Sequence, residues 1–309
     1  MESLRVIRAG LHTTVQDTGR WGFQSQGVPV AGAMDLFAHR LANALVGNEP
    51  SAATLEITLT GPELRFEDER TIAVAGGRFD LTIDGSPIAG EMPVVVGSGS
   101  VLRFGERRRG ARAYLAVSGG IDVPVVLGSR STHVPSRSGG LRGRPLAAGD
   151  VVPLGPARAR RRGGMRAPAG GRQDGRLRVL PGPQQDSFAD RALVALQSAP
   201  YVVQPESNRM GFRLSGPPLE LRSTSDIISE PAPIGALQVP ASRQPILLMA
   251  DRQTAGGYAK LATVITADIG IAAQLAPGDE VRFAVCTHGE ALAALIAQER
   301  AILAIEGER

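Results

Sequence analysis

Parts of this chain occur twice. Asp35-Leu-Phe-Ala-His-Arg40 returns as Asp186-Ser-Phe-Ala-Asp-Arg191, four identities in six at an offset of 151, and Thr58 to Phe66 (TLTGPELRF) returns as Arg213 to Leu221 (RLSGPPLEL) at an offset of 155. Leu146-Ala-Ala-Gly-Asp150 is echoed by Leu275-Ala-Pro-Gly-Asp279 at a shorter offset. A repeat on this scale restricts the 309 residues to two copies of one plan rather than a single large core. The expected bounds are 1–155 for the first copy, 156–176 for an Arg/Gly-rich linker, and 177–309 for the second copy with a C-terminal helix.

Within the first copy the hydrophobic pattern is that of short strands. Leu4 to Leu11, Ala53 to Leu59, Thr71 to Ala75, Asp80 to Ile83, Met92 to Val96, Val101 to Phe104 and Ala113 to Val117 read as strands, separated by turn signals at Gly61-Pro62, Gly76-Gly77, Asp84-Gly85, Gly97 to Gly99 and Gly119-Gly120. Met34 to Val46 carries Phe37, Leu41 and Leu45 at helical spacing and stops at Gly47-Asn48. Many short strands with one helix predict a mainly β fold with a closed or nearly closed barrel. His12 to Ala33 has no period of either kind and no counterpart before Asp186, so it reads as an added loop. That loop either contacts a ligand or an interface, or covers the junction between copies. Leu292, Leu295, Ile296, Ile302 and Leu303 predict an amphipathic helix over Glu290 to Ile305 that docks on the body or on a partner.

Composition narrows the function. The computed isoelectric point is 9.9, but Arg158 to Arg176 holds seven arginines and one acid, a net of +6 against a chain total of +4, so the remainder is net acidic at −2. That segment has no aromatic residue, which argues for a solvated linker and against a nucleic-acid surface. A single cysteine, Cys286, excludes an internal disulfide and suits a reducing compartment. The N-terminus has no apolar core of signal-peptide length and no apolar run is long enough to span a bilayer, so a cytoplasmic chain with no membrane partner is expected. His12, His39, His133 and His288 are scattered and no HExxH or CxxC occurs, so no metal site is expected. There is likewise no GxxxxGK[ST], no GxSxG, and no complete GxGxxG ahead of a helix.

The densest chemistry lies in Ile246 to Ala267, ILLMADRQTAGGYAKLATVITA. An apolar run ends in Asp251, Arg252, Gln253 and Thr254, followed by Gly256-Gly257, Tyr258 and a second β-branched run, which reads as strand, polar turn, strand. The same residues could be a plain hairpin corner or a site for a small polar substrate. Further polar clusters are Gln16 and Asp17 on the added loop, Asp35 on the first helix, Asn208 and Arg209 before a strand, and Glu230 and Gln238 around a Pro-rich turn. Carboxylates and amides match the donors and acceptors of a urea-like or lactam substrate, and an arginine can stabilise an oxyanion forming on it. Asp251 is therefore the candidate for polarising a nucleophile or accepting a proton, and Arg209 or Arg252 for the oxyanion. Gln253, Thr254, Gly256, Gly257, Tyr258, Asn208, Gln238, Glu230, Asp35, Gln16 and Asp17 are candidates for substrate contact. Arg40 reads as half of a salt bridge, because Arg191 repeats it in the copy without the loop.

Five longer stretches carry a resemblance: Gly27 to Asn48, Leu55 to Phe66, Leu115 to Thr132, Ser207 to Leu219 and Gly235 to Ile265. Together they resemble the biotin-dependent carboxyltransferase-like family, which includes the C component of 5-oxoprolinase, KipA-type regulators, allophanate hydrolase subunit 2 and the carboxyltransferase region of urea carboxylase. The resemblance implies two tandem cyclophilin-like β-barrel domains with a few helices. It also implies a heteromeric complex with a KipI-like B component, joined by an A component in the 5-oxoprolinase system. The activity implied is ATP-dependent opening of 5-oxoproline to glutamate, with ATP handled by the assembled complex. The alternatives it leaves are an allophanate hydrolase or carboxyltransferase component acting on urea-like amides, and a non-catalytic regulator that binds the B component. No Met-Lys-Met biotin attachment sequence is present, so biotin would require a separate carrier chain. Asn208 replaces an aspartate often found before Arg-Met-Gly in the family, which removes one possible base and favours Asp251.

Overall fold

The computed structural model describes residues 2–157, 176–222 and 226–307; the arginine-rich linker expected between the copies lies almost entirely outside them. The described residues form two compact units. The first contains β1 (Ser3–Arg8), β2 (His12–Gln16), α1 (Leu36–Leu45), β3 (Thr54–Thr58), β4 (Glu63–Phe66), β5 (Arg70–Ile83), β6 (Ser86–Ile88), β7 (Val94–Val96), β8 (Val101–Val117) and β9 (Val151–Pro153). The second contains β10 (Arg176–Pro181), α2 (Ala192–Ser198), β11 (Tyr201–Val203), β12 (Gly211–Ser215), β13 (Asp226–Pro231), β14 (Ala236–Gln238), β15 (Ile246–Leu248), β16 (Ala255–Tyr258), β17 (Lys260–Val264), α3 (Ile269–Ala273) and β18 (Glu280–Val285). Gly22–Val30 groups with the second unit; of the final helix α4 (His288–Gly307), residues through Gln298 group with the second and those from Glu299 with the first.

The fold is mainly β, as expected, with two barrel-type units. In the second, β10-β17-β14-β15-β12-β11-β18 form a closed barrel, sealed by a parallel β18–β10 pair. In the first, nine strands make a curled sheet along β2-β3-β8-β4-β1-β9, with β5 joining through β8. Residues 72–75 of β5 and 111–117 of β8 are buried on both faces. Ile72, Val74, Leu115 and Val117 point into one core with Leu4, Leu55, Ile57 and Phe66, while Ala73, Ala75, Tyr114 and Ala116 meet Ala38, Leu41, Ala42 and Leu45 of α1. The small residues on the second face let the helix lie close to the sheet. Helix α1 starts at Leu36, two residues after the expected Met34, because the Asp35 side chain accepts from Ala38 N at 3.0 Å and caps the first turn.

Four local expectations change. Thr71–Ala75 and Asp80–Ile83 are one 14-residue strand, and Val101–Phe104 and Ala113–Val117 one 17-residue strand. Gly76-Gly77 is not a turn: the register with β8 slips around it, Gly76 has φ +93°, and a Cβ on Gly77 would come 2.9 Å from Arg112 O, so the pair forms a bulge. The added loop starts as a strand, because His12–Gln16 pairs with Thr54–Thr58 over five residues. On α4, Ile302 is buried and Leu295 half-buried, but Leu292, Ile296 and Leu303 are exposed. That helix starts earlier than expected because Thr287 and Glu290 cap each other: Glu290 Oε2 accepts from Thr287 N at 2.8 Å, and Thr287 Oγ1 from Glu290 N at 3.2 Å.

Candidate functional site

Lys260 stands at the start of β17 between Ala259 and Leu261, all three within 2% exposure. A lone ammonium in such surroundings needs a partner. Its Nζ lies 2.5 Å from Glu230 Oε1, contributed by β13. Gln184, in the turn after β10, completes the arrangement from both ends: its Nε2 donates to the same Glu230 Oε1 at 2.6 Å, and its Oε1 accepts from Lys260 N at 3.2 Å. With the Lys260 ammonium first and the Gln184 amide second acting on it, the Glu230 carboxyl is held below the usual carboxylate range.

Opposite Lys260 in the sheet register is Gln238 on β14, just past an irregularity in the β14–β17 pairing. Gln253 Nε2 donates to Gln238 Oε1 at 3.2 Å, while Gln238 Nε2 is buried with no acceptor. The glycines expected as a hairpin turn lie in β16 instead. That strand pairs with β13 rather than β15, and Gly256 faces Glu230 across the pair. Glycine brings the strand close to both amides: a Cβ on Gly256 would come 2.7 Å from Gln238 Nε2 and 3.1 Å from Gln253 Nε2 and would push those side-chain ends aside. Glu230, Lys260, Gln184, Gln238, Gln253 and Gly256 thus form one cluster, a charge pair beside an amide pair. It can bind a small polar molecule through matched donors and acceptors and hold a proton between an amine and a carboxylate.

The remaining candidates serve elsewhere. Arg209 donates to Asp251 through Nε at 3.0 Å and Nη2 at 2.9 Å, with both residues buried. Asp251 N also bonds Arg209 O, so the pair ties the end of β15 to the approach to β12. Arg252 donates to the Ala232 and Met249 carbonyls, and burial lowers its pKa. Thr254 O accepts from Ala232 N, Asn208 Oδ1 from Met210 N at 2.8 Å, Tyr258 is exposed, and Gly257 continues β16. Gln16, Asp17 and Asp35 belong to the first unit. Asp17 accepts from Gly19 N, Arg130 N and the Ser129 and Ser131 hydroxyls, which fixes the turn after β2. Gln16 Nε2 donates to Thr14 and to Thr132 O. Arg40 pairs with Glu299 at 2.8 Å, the salt bridge expected of it. Among the described residues no group of three or more His, Cys, Asp or Glu could hold a metal ion, and no helix is long and apolar enough to cross a membrane.

Lys260 and Gln184 are absent from the sequence candidates. For Lys260 a signal exists: one charge inside the apolar run Ala259 to Ile265 marks a buried, paired ammonium. For Gln184 there is none, since its role depends on a contact 46 positions away.

Comparison with known proteins supplies the lineage. The chain is 40% identical over 300 residues to the C component of 5-oxoprolinase from Escherichia coli (strain K12), covering 96% of each chain. It is 35% identical over 278 residues to the corresponding 5-oxoprolinase component of Haemophilus influenzae, covering 90% of this chain and 89% of the relative. The crystal structure of Kluyveromyces lactis urea carboxylase matches 99% of this chain with a TM-score of 0.91 at 34% identity, and the match spans 29% of that longer protein. The family model described as carboxyltransferase domain, subdomain A and B, matches residues 26–285, and the chain belongs to that family.

Proposed function

We propose that this chain is the C component of an ATP-dependent 5-oxoprolinase, opening 5-oxo-L-proline to L-glutamate together with A and B components, B being KipI-like, in the cytoplasm. The observation that carries the reading is the end-to-end likeness to a protein of that name, 96% of both chains. The chemistry around Lys260 supports it. A lactam presents one N–H and one C=O, and the cluster offers a carboxylate and an amide donor for them. Lys260 keeps the carboxylate charged, Gln184 orients it, and the buried Arg209–Asp251 pair with Arg252 holds the segment that carries Gln253 and Gly256. Asp251 and Arg209 therefore act on the reaction by positioning. ATP is assigned to the assembled complex, because the chain has no GxxxxGK[ST] phosphate loop.

The likeness to urea carboxylase favours one other reading, a carboxyltransferase component acting on urea-like amides with biotin on a separate carrier chain. The deciding assay is ATP-dependent glutamate release from 5-oxoproline by this chain with its A and B counterparts, each omitted in turn. Turnover that requires all three is expected. Absence of turnover with the full set, alongside a stable complex with B, would reject the oxoprolinase reading in favour of the carboxyltransferase or a non-catalytic KipA-type regulator.

A further inference from the structure

We propose that the β13–β16 ribbon is a flap over Lys260, latched shut by Glu230 and lifting as a unit to admit a molecule to the cluster beneath. Its gating role rests on the preceding reading in placing the substrate at that cluster; the opening motion itself does not.

The ribbon gains little from packing. Strands β13 and β16 form a two-stranded sheet of their own, and no ladder of hydrogen bonds joins either to the closed barrel. Their register sets four steps on β13, Asp226 to Glu230, against two on β16, Tyr258 to Gly256, so β13 carries two extra residues. Ile228, within that bulge, is 94% exposed. None of residues 227–231 or 255–258 is buried. A segment with so little apolar burial lies at the low end of local stability.

What holds it down is charge. For residues 227–231 and 255–258, the side-chain ties to the rest of the unit, among the described residues, all fall on Glu230 Oε1, which meets Lys260 Nζ at 2.5 Å and Gln184 Nε2 at 2.6 Å. Lys260 is 2% exposed, and a buried ammonium that loses its carboxylate is strongly destabilised, so the latch favours the shut state. In that state Gln238 Nε2 is also closed off from solvent. The two points where the ribbon joins the barrel are fixed. Ala232 and Ala259 are both buried. Ala232 N donates to Thr254 O at 3.0 Å and Ala232 O accepts from Arg252 Nε at 2.8 Å, while Ala259 O accepts from Val239 N at 3.0 Å. The ribbon can thus swing about Ala232 and Ala259 while the barrel keeps its pairing.

Lys260 is the chain's only lysine, so acylation of its amine by N-hydroxysuccinimide acetate reports the opening directly. The measurement is made by mass spectrometry on the full chain in rising urea. An opening confined to the ribbon exposes little surface, so the acylation rate below the unfolding transition is expected to change little with urea. Backbone hydrogen exchange is expected to be faster at Ile227 to Glu230 and Gly256 to Tyr258 than in β14 and β17. Glu230→Gln is expected to speed it in the ribbon by about tenfold or more, with β14 and β17 unmoved. Acylation that tracks global unfolding, acylation as fast as that of a free lysine derivative, or ribbon exchange unchanged in the variant would overturn the proposal. Ribbon opening without glutamate release from the assembled complex would keep the flap and reject the oxoprolinase reading. Glutamate release with no opening short of global unfolding would do the reverse.

Discussion

Lys260 and Asp251 are both charged and at most 3% exposed, yet their surroundings give them different work. Asp251 has both oxygens engaged by one arginine and is buried, whereas Lys260 meets a carboxylate on a side chain still 37% exposed. His39 makes the contrast testable through pH. Its ring is fully buried among Thr54, Pro50 O and Asn43. Burial, the largest influence, lowers its pKa from 6.5 to about 4. The folded state therefore keeps His39 neutral while the unfolded chain takes up a proton between those values. Its contribution is complete above pH 6.5 and is lost as pH falls toward 4, on the order of 3 kcal/mol in all. Denaturation midpoints of His39→Gln should fall less steeply than those of the parent across that window; parallel curves would contradict the neutral assignment. Asp251, Gln238 and Glu230 stand out as residue types in the sequence. Which of them is already satisfied by a neighbour could not be read there, because satisfaction is a property of contacts between distant positions.

At the scale of elements, apolar patterning located α1 and most strands of the first unit, and missed where strands continue. Glycine in a strand pattern signals either a turn or a bulge, and the sequence alone does not separate them at Gly76-Gly77 or Gly256-Gly257. In β5 the bulge allows a 14-residue strand to stay paired with β8 while changing register. In β16 the glycines let the strand pass beside the Gln238 and Gln253 amides. Gly76 has φ +93°, a region that a β-branched residue enters only under strain. Gly76→Val should cost about 1–3 kcal/mol in chemical denaturation while leaving the second unit's barrel intact. An unchanged midpoint would show that the bulge tolerates a side chain.

For the molecule as a whole, the internal repeat carried the most information. The echoes at Asp35/Asp186 and Thr58/Arg213 announced two related units, and the chain forms two, one closed by a parallel β18–β10 pair and one a curled sheet. A closed or nearly closed barrel was expected, but which strands meet to seal it, β10 with β18, was not legible, since that depends on contacts between distant strand ends. Nor was the centre of the candidate site, because β13 and β16 pair outside the barrel to bring Glu230 over Lys260. The most direct test of that centre is the turnover number for glutamate release by the assembled complex carrying Glu230→Gln or Lys260→Met. A loss of about 100-fold or more in each, with assembly intact, is expected if this pair handles the proton at the lactam. Wild-type turnover in either variant would place the chemistry elsewhere in the complex.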